Sequence, residues 1–269
     1  MEKRLKAYTL FSSSKGNSSL VCYGGDAFLI DAGASCKQLE ECVTSLGYSL
    51  NALRGIFISH EHSDHTKGLA ALTKRYGLPV YTAPECMAVI SMTAPCAEEH
   101  FVPTAGGDTV HMGDMRITVY PTPHDSVRSF CYRIETPRGS LGYATDIGHI
   151  SDEVQDAVFG CDSVLIESNH DKELLSTGPY PDFLKRRIGG NHGHLSNEAC
   201  ACIAPVLARC GTRSITLAHL SETNNTPKLA YEESRRRLLE YGVSLCGESF
   251  AGDVRLQVAP VAQIMEITV

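Results

Sequence analysis

Four potential metal ligands fall within six residues, His60-Glu61-His62-Ser63-Asp64-His65. Three imidazoles and a carboxylate offer the neutral nitrogen and hard oxygen donors that suit zinc, manganese or iron, and ligand type does not choose among the three. A helical H-E-x-x-H site needs histidines at i and i+4, whereas the residue four after His60 is Asp64. Alternation at i and i+2 instead predicts an extended loop in which His60 and His62 face one ion while Asp64 and His65 reach a neighbouring one. The plain alternative is a polar, solvated loop. Further ligands must come from elsewhere, and His124, Asp146 and His219 each stand just past a predicted strand. Singly, each reads first as a surface or core residue; jointly they describe a site above sheet edges. Two divalent ions ~3.5 to 4 Å apart can deprotonate a shared water and clamp the attacking and leaving oxygens of an in-line phosphoryl displacement. That is hydrolysis without a covalent intermediate. No G-x-x-x-x-G-K loop or G-x-S-x-G elbow competes; the nearest segment, Gly247-Glu248-Ser249-Phe250-Ala251, reads as a turn.

The elements that must hold these residues follow from short apolar runs and their punctuation. Ala7 to Phe11, Ser19 to Tyr23 and Ala27 to Asp31 predict a meander. A helix follows from Cys36 to Leu46, with Ser35 and Gln38 at capping-box spacing and Gly47 closing it. Gly55 to Ser59 is a buried strand by composition that ends directly at His60. Further strands are predicted at Val80 to Thr82, Met115 to Pro121, Ser163 to Glu167 and Ser214 to Ala218. A hairpin from Ser129 to Thr145 turns at Pro137-Arg138-Gly139. Helices are predicted at Leu69 to Tyr76, Asp152 to Val158, Asn197 to Ala208 and Lys228 to Tyr241. Strands first, then strands alternating with helices, predict a layered α/β sandwich.

With 269 residues, 43% hydrophobic and 20% charged, the chain can bury a core and is too apolar for disorder. The expectation is one domain, 1–269, with no linker or repeat. No stretch approaches the ~18 consecutive apolar residues of a spanning helix. The basic start Lys3-Arg4-Leu5-Lys6 precedes too short an apolar run for a signal peptide, so a cytoplasmic location with no membrane partner is expected. Eleven cysteines, an odd count without a C-x-x-C pair, read as reduced core thiols, Cys22, Cys131 and Cys246 among them. Cys200 and Cys202, two apart on a predicted helix, point to different faces and are poor joint ligands. The net charge of -7 argues against a broad grip on nucleic acid, though not against a locally basic cleft. Nothing in the sequence sets an oligomeric state.

The ligand pattern H-x-H-x-D-H, followed at distance by His, Asp and His, resembles the metallo-β-lactamase fold superfamily. That resemblance implies an αββα four-layer sandwich of two mixed β-sheets flanked by helices, with two divalent metal ions in the cleft between the sheets. It implies further that His60, His62 and His124 hold the first ion and Asp64, His65 and His219 the second, with Asp146 bridging and Asp31 steadying the ligand loop. The β-lactamases proper carry cysteine where this chain has Asp146, and flavodiiron proteins carry glutamate where it has His62. A second set of motifs is narrower: Ser12-Ser13-Ser14-Lys15-Gly16-Asn17-Ser18, Glu167-Ser168-Asn169-His170-Asp171, Gly178-Pro179-Tyr180-Pro181, Gly193-His194-Leu195-Ser196-Asn197-Glu198 and His219-Leu220-Ser221 with Asn224-Asn225. Together they resemble the YycJ/WalJ group, over nearly the whole chain except the less diagnostic 84–109. The group implies a bacterial, cytoplasmic, metal-dependent 5' to 3' exonuclease acting on DNA. The chain departs from it at Ser-Ser-Ser-Lys-Gly, where the group usually reads Ser-Gly-Ser-x-Gly.

Six histidines remain beyond the implied ligands: His100, His111, His149, His170, His192 and His194. His194 precedes a predicted helix, whose amides and dipole favour a phosphate. Related nucleases carry a similar Gly-His-Ser step that contacts the scissile phosphate or protonates the leaving group; the alternative is simple N-terminal structure. Asn169 and His170 read equally as support for the ligands or as substrate contacts, and Lys15 joins them as a candidate contact. Arg235-Arg236-Arg237 reads as a solvated helix face paired with Glu232 and Glu233. Lys185-Arg186-Arg187 reads first as a solvated helix end and second as a phosphate contact. The sequence therefore predicts a binuclear phosphodiesterase acting on nucleic acid. Its rivals are a thioester or lactone hydrolase of the glyoxalase II type and a non-enzymatic metal-binding regulator.

Overall fold

Along the strand Phe130–Thr136, Phe130, Tyr132 and Ile134 enter one apolar cluster while Cys131 enters another, because successive side chains of a strand face opposite ways. The same alternation on Ser163–Glu167 sends Leu165 to the first cluster and Val164 and Ile166 to the second. Two buried layers result, one between two sheets and one beneath the helices that cover the second sheet. The computed structural model describes residues 3–246, 253–267 and 269; the turn read at 247–251 lies outside the described residues.

The first sheet uses β1 (Leu5–Ser13), β2 (Gly16–Tyr23), β3 (Asp26–Ile30), β4 (Ile56–Phe57), β5 (Val80–Thr82) and β6 (Phe101–Pro103). The second uses β7 (Thr109–Met112), β8 (Met115–Pro121), β9 (Phe130–Thr136), β10 (Gly139–Ala144), β11 (Ser163–Glu167), β12 (Ser214–Ala218) and β13 (Arg255–Val258). The chain then returns to the first with β14 (Met265–Ile267). Strand orders are β14-β1-β2-β3-β4-β5-β6 and β13-β12-β11-β10-β9-β8-β7. Each sheet begins as an antiparallel meander and continues with parallel strands: β3 to β6 in one, β10 to β13 in the other. Parallel strands put their carboxyl ends at one rim, the usual place for a site in open α/β sheets. Both sheets are mixed and flanked by helices, the αββα sandwich expected from the resemblance.

The helices are α1 (Cys36–Ser45), α2 (Ser63–Thr66), α3 (Leu69–Tyr76), α4 (Pro84–Thr93), α5 (Asp152–Val158), α6 (Lys172–Thr177), α7 (Asp182–Ile188), α8 (Asn197–Arg209) and α9 (Pro227–Glu240). The capping box forms as predicted: Ser35 Oγ accepts from the Gln38 amide and Gln38 Oε1 from the Ser35 amide. Arg236 pairs with Glu233 and Glu240, and Arg235 with Glu232, the solvated face expected for that run. Elements not read from the sequence are α2, α4, α6, α7 and the short strands β6, β7, β13 and β14. Helix α7 buries no residue, so no apolar stripe marks it; α4 is apolar nearly all round and shows no period. No disulfide forms among the described residues, and Cys22 and Cys131 are buried as expected. Cys246 is exposed, against expectation. Cys200 is buried and Cys202 exposed, the two faces the spacing required. No helix among the described residues is long and apolar enough to cross a membrane.

Candidate metal centre

Strand β4 is two fully buried residues wedged parallel between β3 and β5, so the chain emerges at the rim with Ser59 and His60 already placed. The segment is extended only as far as His62. His62 is the N-cap of α2 (φ -59, ψ 148), and Asp64 and His65 ride on that short helical turn, which corrects the fully extended loop expected from i, i+2 alternation. The turn is clamped from below. The Ala32 amide donates to the His65 carbonyl at 2.8 Å, and Gly33 passes so close that a Cβ there would sit 1.7 Å from the Asp64 carbonyl oxygen. Only glycine permits that approach.

Three sets of ligand atoms converge within 4.8 Å: His60, His62 and His124; His60, His65 and Asp146; and Asp146, Glu167, His194 and His219. Four of the histidines share one orientation. His60 Nδ1 meets Ser59 Oγ at 3.0 Å, His65 Nδ1 meets Asp31 Oδ2 at 2.8 Å, His124 Nδ1 meets the Gly193 carbonyl at 3.0 Å and His219 Nδ1 meets Asn17 Oδ1 at 2.9 Å. Tying Nδ1 outward leaves Nε2 facing the centre, which is how ligating imidazoles are oriented. His62 differs, its Nδ1 lying 2.9 Å from His60 Nε2. The Asp146 carboxylate stands between the groups, with Oδ1 3.3 Å from His219 Nε2 and 3.8 Å from His124 Nε2, and Oδ2 3.4 Å from His65 Nε2. Buried His124 Nε2 and Asp146 Oδ2 have no hydrogen-bond partner among the described residues. Donors held in place and turned inward without partners fit a divalent ion. Asp64 sits at the edge, 3.4 Å from His65 Nε2, and accepts from Asn17 Nδ2 at 3.2 Å.

Electrostatics agree with that chemistry. Burial, then the charge of His65, push His60 well below the usual imidazole range, and burial lowers His124; both shifts favour the neutral ring, the form that binds metal. Burial acts upward on Asp146 and Asp64, but the neighbouring histidines outweigh it, His219 and His65 for the first and His65 for the second, and keep both below the usual carboxylate range. Burial opposes charge on His65, yet Asp31 and Asp146 raise it well above its ordinary value, so a metal ion bound at this ring would have to displace a proton. Asp31 is fully buried and also accepts from the Ser59 amide at 2.8 Å and Ser59 Oγ at 2.9 Å. Asp31 (φ 62), Asp146 (φ 56) and His219 (φ 55) are the non-glycine residues with positive φ among those described. Backbone strain confined to these three positions is characteristic of a functional site.

His194 faces the same centre. Burial alone would lower it, but the Glu167 carboxylate, 2.7 Å from Nδ1, pushes it up to about 9. Glu167 is itself fixed by the Ile147 amide at 2.8 Å and the Leu195 amide at 3.1 Å. The α8 N-terminus is capped by Ser196, two residues beyond His194, so the environment of that ring is set by Glu167 rather than by the helix end. A cavity of about 230 Å³ over the cluster is lined by His62, Asp64, Asp146, Asn169, His194 and His219, with Tyr180, Leu184 and Arg187 at its wall. Arg187 pairs with Asp125. Asn169 is thus in the site, and its Nδ2 also donates to the His219 carbonyl at 2.9 Å. His170 lines a different cavity, and Lys15 another again, where it pairs with Glu222 at 2.5 Å. Glu167, Asn17 and Asp125 were not singled out from sequence. A glutamate ending the buried run Ser-Val-Leu-Ile-Glu was a signal for the first; Asn17 reads as a turn residue until β2 is seen to bury it.

The family model described as a beta-lactamase superfamily domain matches residues 27–220. Exodeoxyribonuclease YycJ of Bacillus anthracis is 34% identical over 244 residues, covering 90% of this chain and 91% of the relative. Exodeoxyribonuclease WalJ of Streptococcus pneumoniae is 34% identical over 229 residues, covering 82% and 84%. Among solved structures, the metallo-beta-lactamase fold protein YhfI from Bacillus subtilis superposes with a TM-score of 0.67 at 16% identity, covering 98% of this chain and all of that one; at that identity the likeness concerns the fold.

Proposed function

The chain belongs to the beta-lactamase superfamily and, within it, to the group of the exodeoxyribonucleases YycJ and WalJ, and from that membership we propose that it is a binuclear, metal-dependent 5' to 3' exonuclease acting on DNA. It is a metal-dependent hydrolase. The observation that carries the nuclease reading is the His194–Glu167 pair, Nδ1 2.7 Å from the carboxylate, set beside inward-facing histidine nitrogens and the Asp146 carboxylate. In this reading His60, His62 and His124 would hold one ion and Asp64, His65 and His219 the other, with Asp146 within reach of both groups. The mixed nitrogen and oxygen set suits zinc, manganese and iron alike. Bound ions supply Lewis-acid polarisation of the phosphoryl oxygens and an acidified water at neutral pH. The chain's own groups do the rest. Arg187, paired with Asp125, stands at the cavity wall, and Asn169 and Tyr180 line the space a strand would enter. As the P–O bond to the leaving sugar oxygen breaks, the His194 proton passes to that oxygen, and Glu167 stabilises the charged ring beforehand. A water oxygen becomes bonded to phosphorus, so one phosphodiester and one water give a phosphomonoester and an alcohol.

Digestion of end-labelled single- and double-stranded DNA and RNA by protein reloaded with manganese or zinc tests this, beside an Asp64→Asn, His65→Ala control. The expected result is metal-dependent shortening of DNA from its 5' end that the double variant loses. No cleavage of any nucleic acid by protein shown to hold two metals refutes the proposal and directs attention to thioesters and lactones.

A further inference from the structure

Helix α7 separates two hollows. Leu184, Arg187 and Ile188 line the metal cavity, while Asp182, Lys185 and Arg186 line a second hollow of about 670 Å³. Each trio follows i, i+3, i+4 spacing, so the two hollows use opposite faces of one helix. His194 lines both, which makes them adjacent. The second volume falls within the roughly 300 to 1,000 Å³ of small-molecule sites. Its lining includes His170, only 2% exposed, whose Nδ1 has no hydrogen-bond partner among the described residues. Burial pushes that ring down to about 4, so it is neutral at physiological pH and offers a donor or an acceptor rather than a charge. Among the described residues Lys185 Nζ donates only to the Ser176 carbonyl, at 2.7 Å, and Arg186 has no ion-pair partner. Lys172 is neutralised by Glu198, and Asp182 is the acid facing the two available cations.

We propose that this second hollow is a subsite for the terminal nucleotide of the strand, with Lys185 and Arg186 on its phosphate, His170 at the wall and His194 between the subsite and the metal centre. The inference rests on the nuclease reading for its place in the reaction, though not for its binding chemistry. A terminal phosphomonoester carries about -1.5 to -2 charges at pH 7, against one for an internal diester. Two adjacent cations therefore select an end over a continuous backbone through charge-assisted hydrogen bonds. The run Lys185-Arg186-Arg187 is thereby divided: its first two residues face the subsite and its third the metal cavity.

The test is calorimetric titration of the full chain in chelator, so that the metal centre takes no part, with deoxyadenosine 5'-monophosphate, deoxyadenosine 3'-monophosphate, deoxyadenosine and inorganic phosphate. Deoxyadenosine 5'-monophosphate should bind, and more tightly than the 3'-monophosphate, because a 5' to 3' exonuclease holds the 5' end, while deoxyadenosine does not bind; tighter binding of the 3'-monophosphate overturns this placement. Lys185→Ala with Arg186→Ala should weaken binding of the 5'-monophosphate by at least about tenfold at an unchanged thermal midpoint, since α7 buries no side chain. His170→Phe, which keeps a ring and removes its nitrogens, should weaken it as well. Equal binding by wild type and the double variant, no binding of either monophosphate, or inorganic phosphate binding as tightly as the nucleotide each overturns the proposal. If metal-loaded wild type cleaves no DNA yet the variants still lose the nucleotide, the nuclease reading fails and the subsite stands.

Discussion

Asp31→Asn isolates the support of one ligand from the ligand itself. The native carboxylate accepts from the Ser59 amide, Ser59 Oγ and His65 Nδ1, at 2.8, 2.9 and 2.8 Å. Asparagine has the same shape and tolerates the left-handed backbone (φ 62) at this position, so strain does not confound the result. Its single oxygen can keep the Ser59 amide, and its amide nitrogen must then face His65 Nδ1. For His65 Nε2 to present a lone pair to a metal, Nδ1 must carry the proton, and an N–H cannot accept it. The ring must change tautomer or rotate, and either spoils the ligand. Losing a hydrogen bond to a charged group costs about 1.5–3 kcal/mol, which corresponds to roughly 10- to 100-fold in metal affinity, the range seen when such outer partners are removed. Competition of zinc or manganese against a chromophoric chelator reads this directly. Affinity should fall by that factor, and DNA cleavage should fall at limiting metal and recover at excess. Native metal affinity in a folded Asp31→Asn protein would refute the argument that Asp31 sets the His65 tautomer.

If proton donation by His194 limits turnover, kcat should decline as pH rises through about 9, because the raised ring stays protonated up to that value and loses its proton above it. Glu167→Gln, which removes the charge that raises it, should move this limb toward lower pH; a limb that stays put removes His194 as the acid. Gly33→Ala should destabilise the protein by about 3 kcal/mol or more, because its Cβ would lie 1.7 Å from the Asp64 carbonyl oxygen, and denaturant titration measures it; a loss under about 1 kcal/mol would show that the loop yields. His170, pushed down to about 4 by burial, binds fewer protons folded than unfolded between that value and about 6.5. Its contribution is thus fully present above pH 6.5 and is lost as pH falls toward 4, a change of about 2–3 kcal/mol. Unfolding free energies of wild type and His170→Phe should therefore converge or cross over that interval, and parallel curves would contradict the assignment.

The metal-ligand loop was legible in sequence because its information is local: four ligand types in six residues after an apolar run, with His124, Asp146 and His219 each just beyond a strand. Strands and capped helices were legible for the same reason, since period and punctuation are properties of neighbouring residues. The short elements α6 and α7 were not, because α6 buries only Leu175 and α7 buries no residue, so neither shows an apolar stripe, whereas the equally short α5 buries Val154, Ala157 and Val158. Other features depend on residues far apart in the chain. The pairing of Glu167 with His194 spans 27 positions, that of Asn17 with His219 spans 202, and neither is encoded in any window. Lys15 shows the converse, since a place in a family motif did not bring it to the cavity: a side chain's direction depends on the strand that carries it. Sequence alone thus determined which residue types are present to bind metal and which strand ends carry them. Only the tertiary structure decided which ring nitrogens face inward, which histidine is held charged and on which side of α7 each cation falls, because orientation and protonation are set by contacts that exist only once the two sheets have closed.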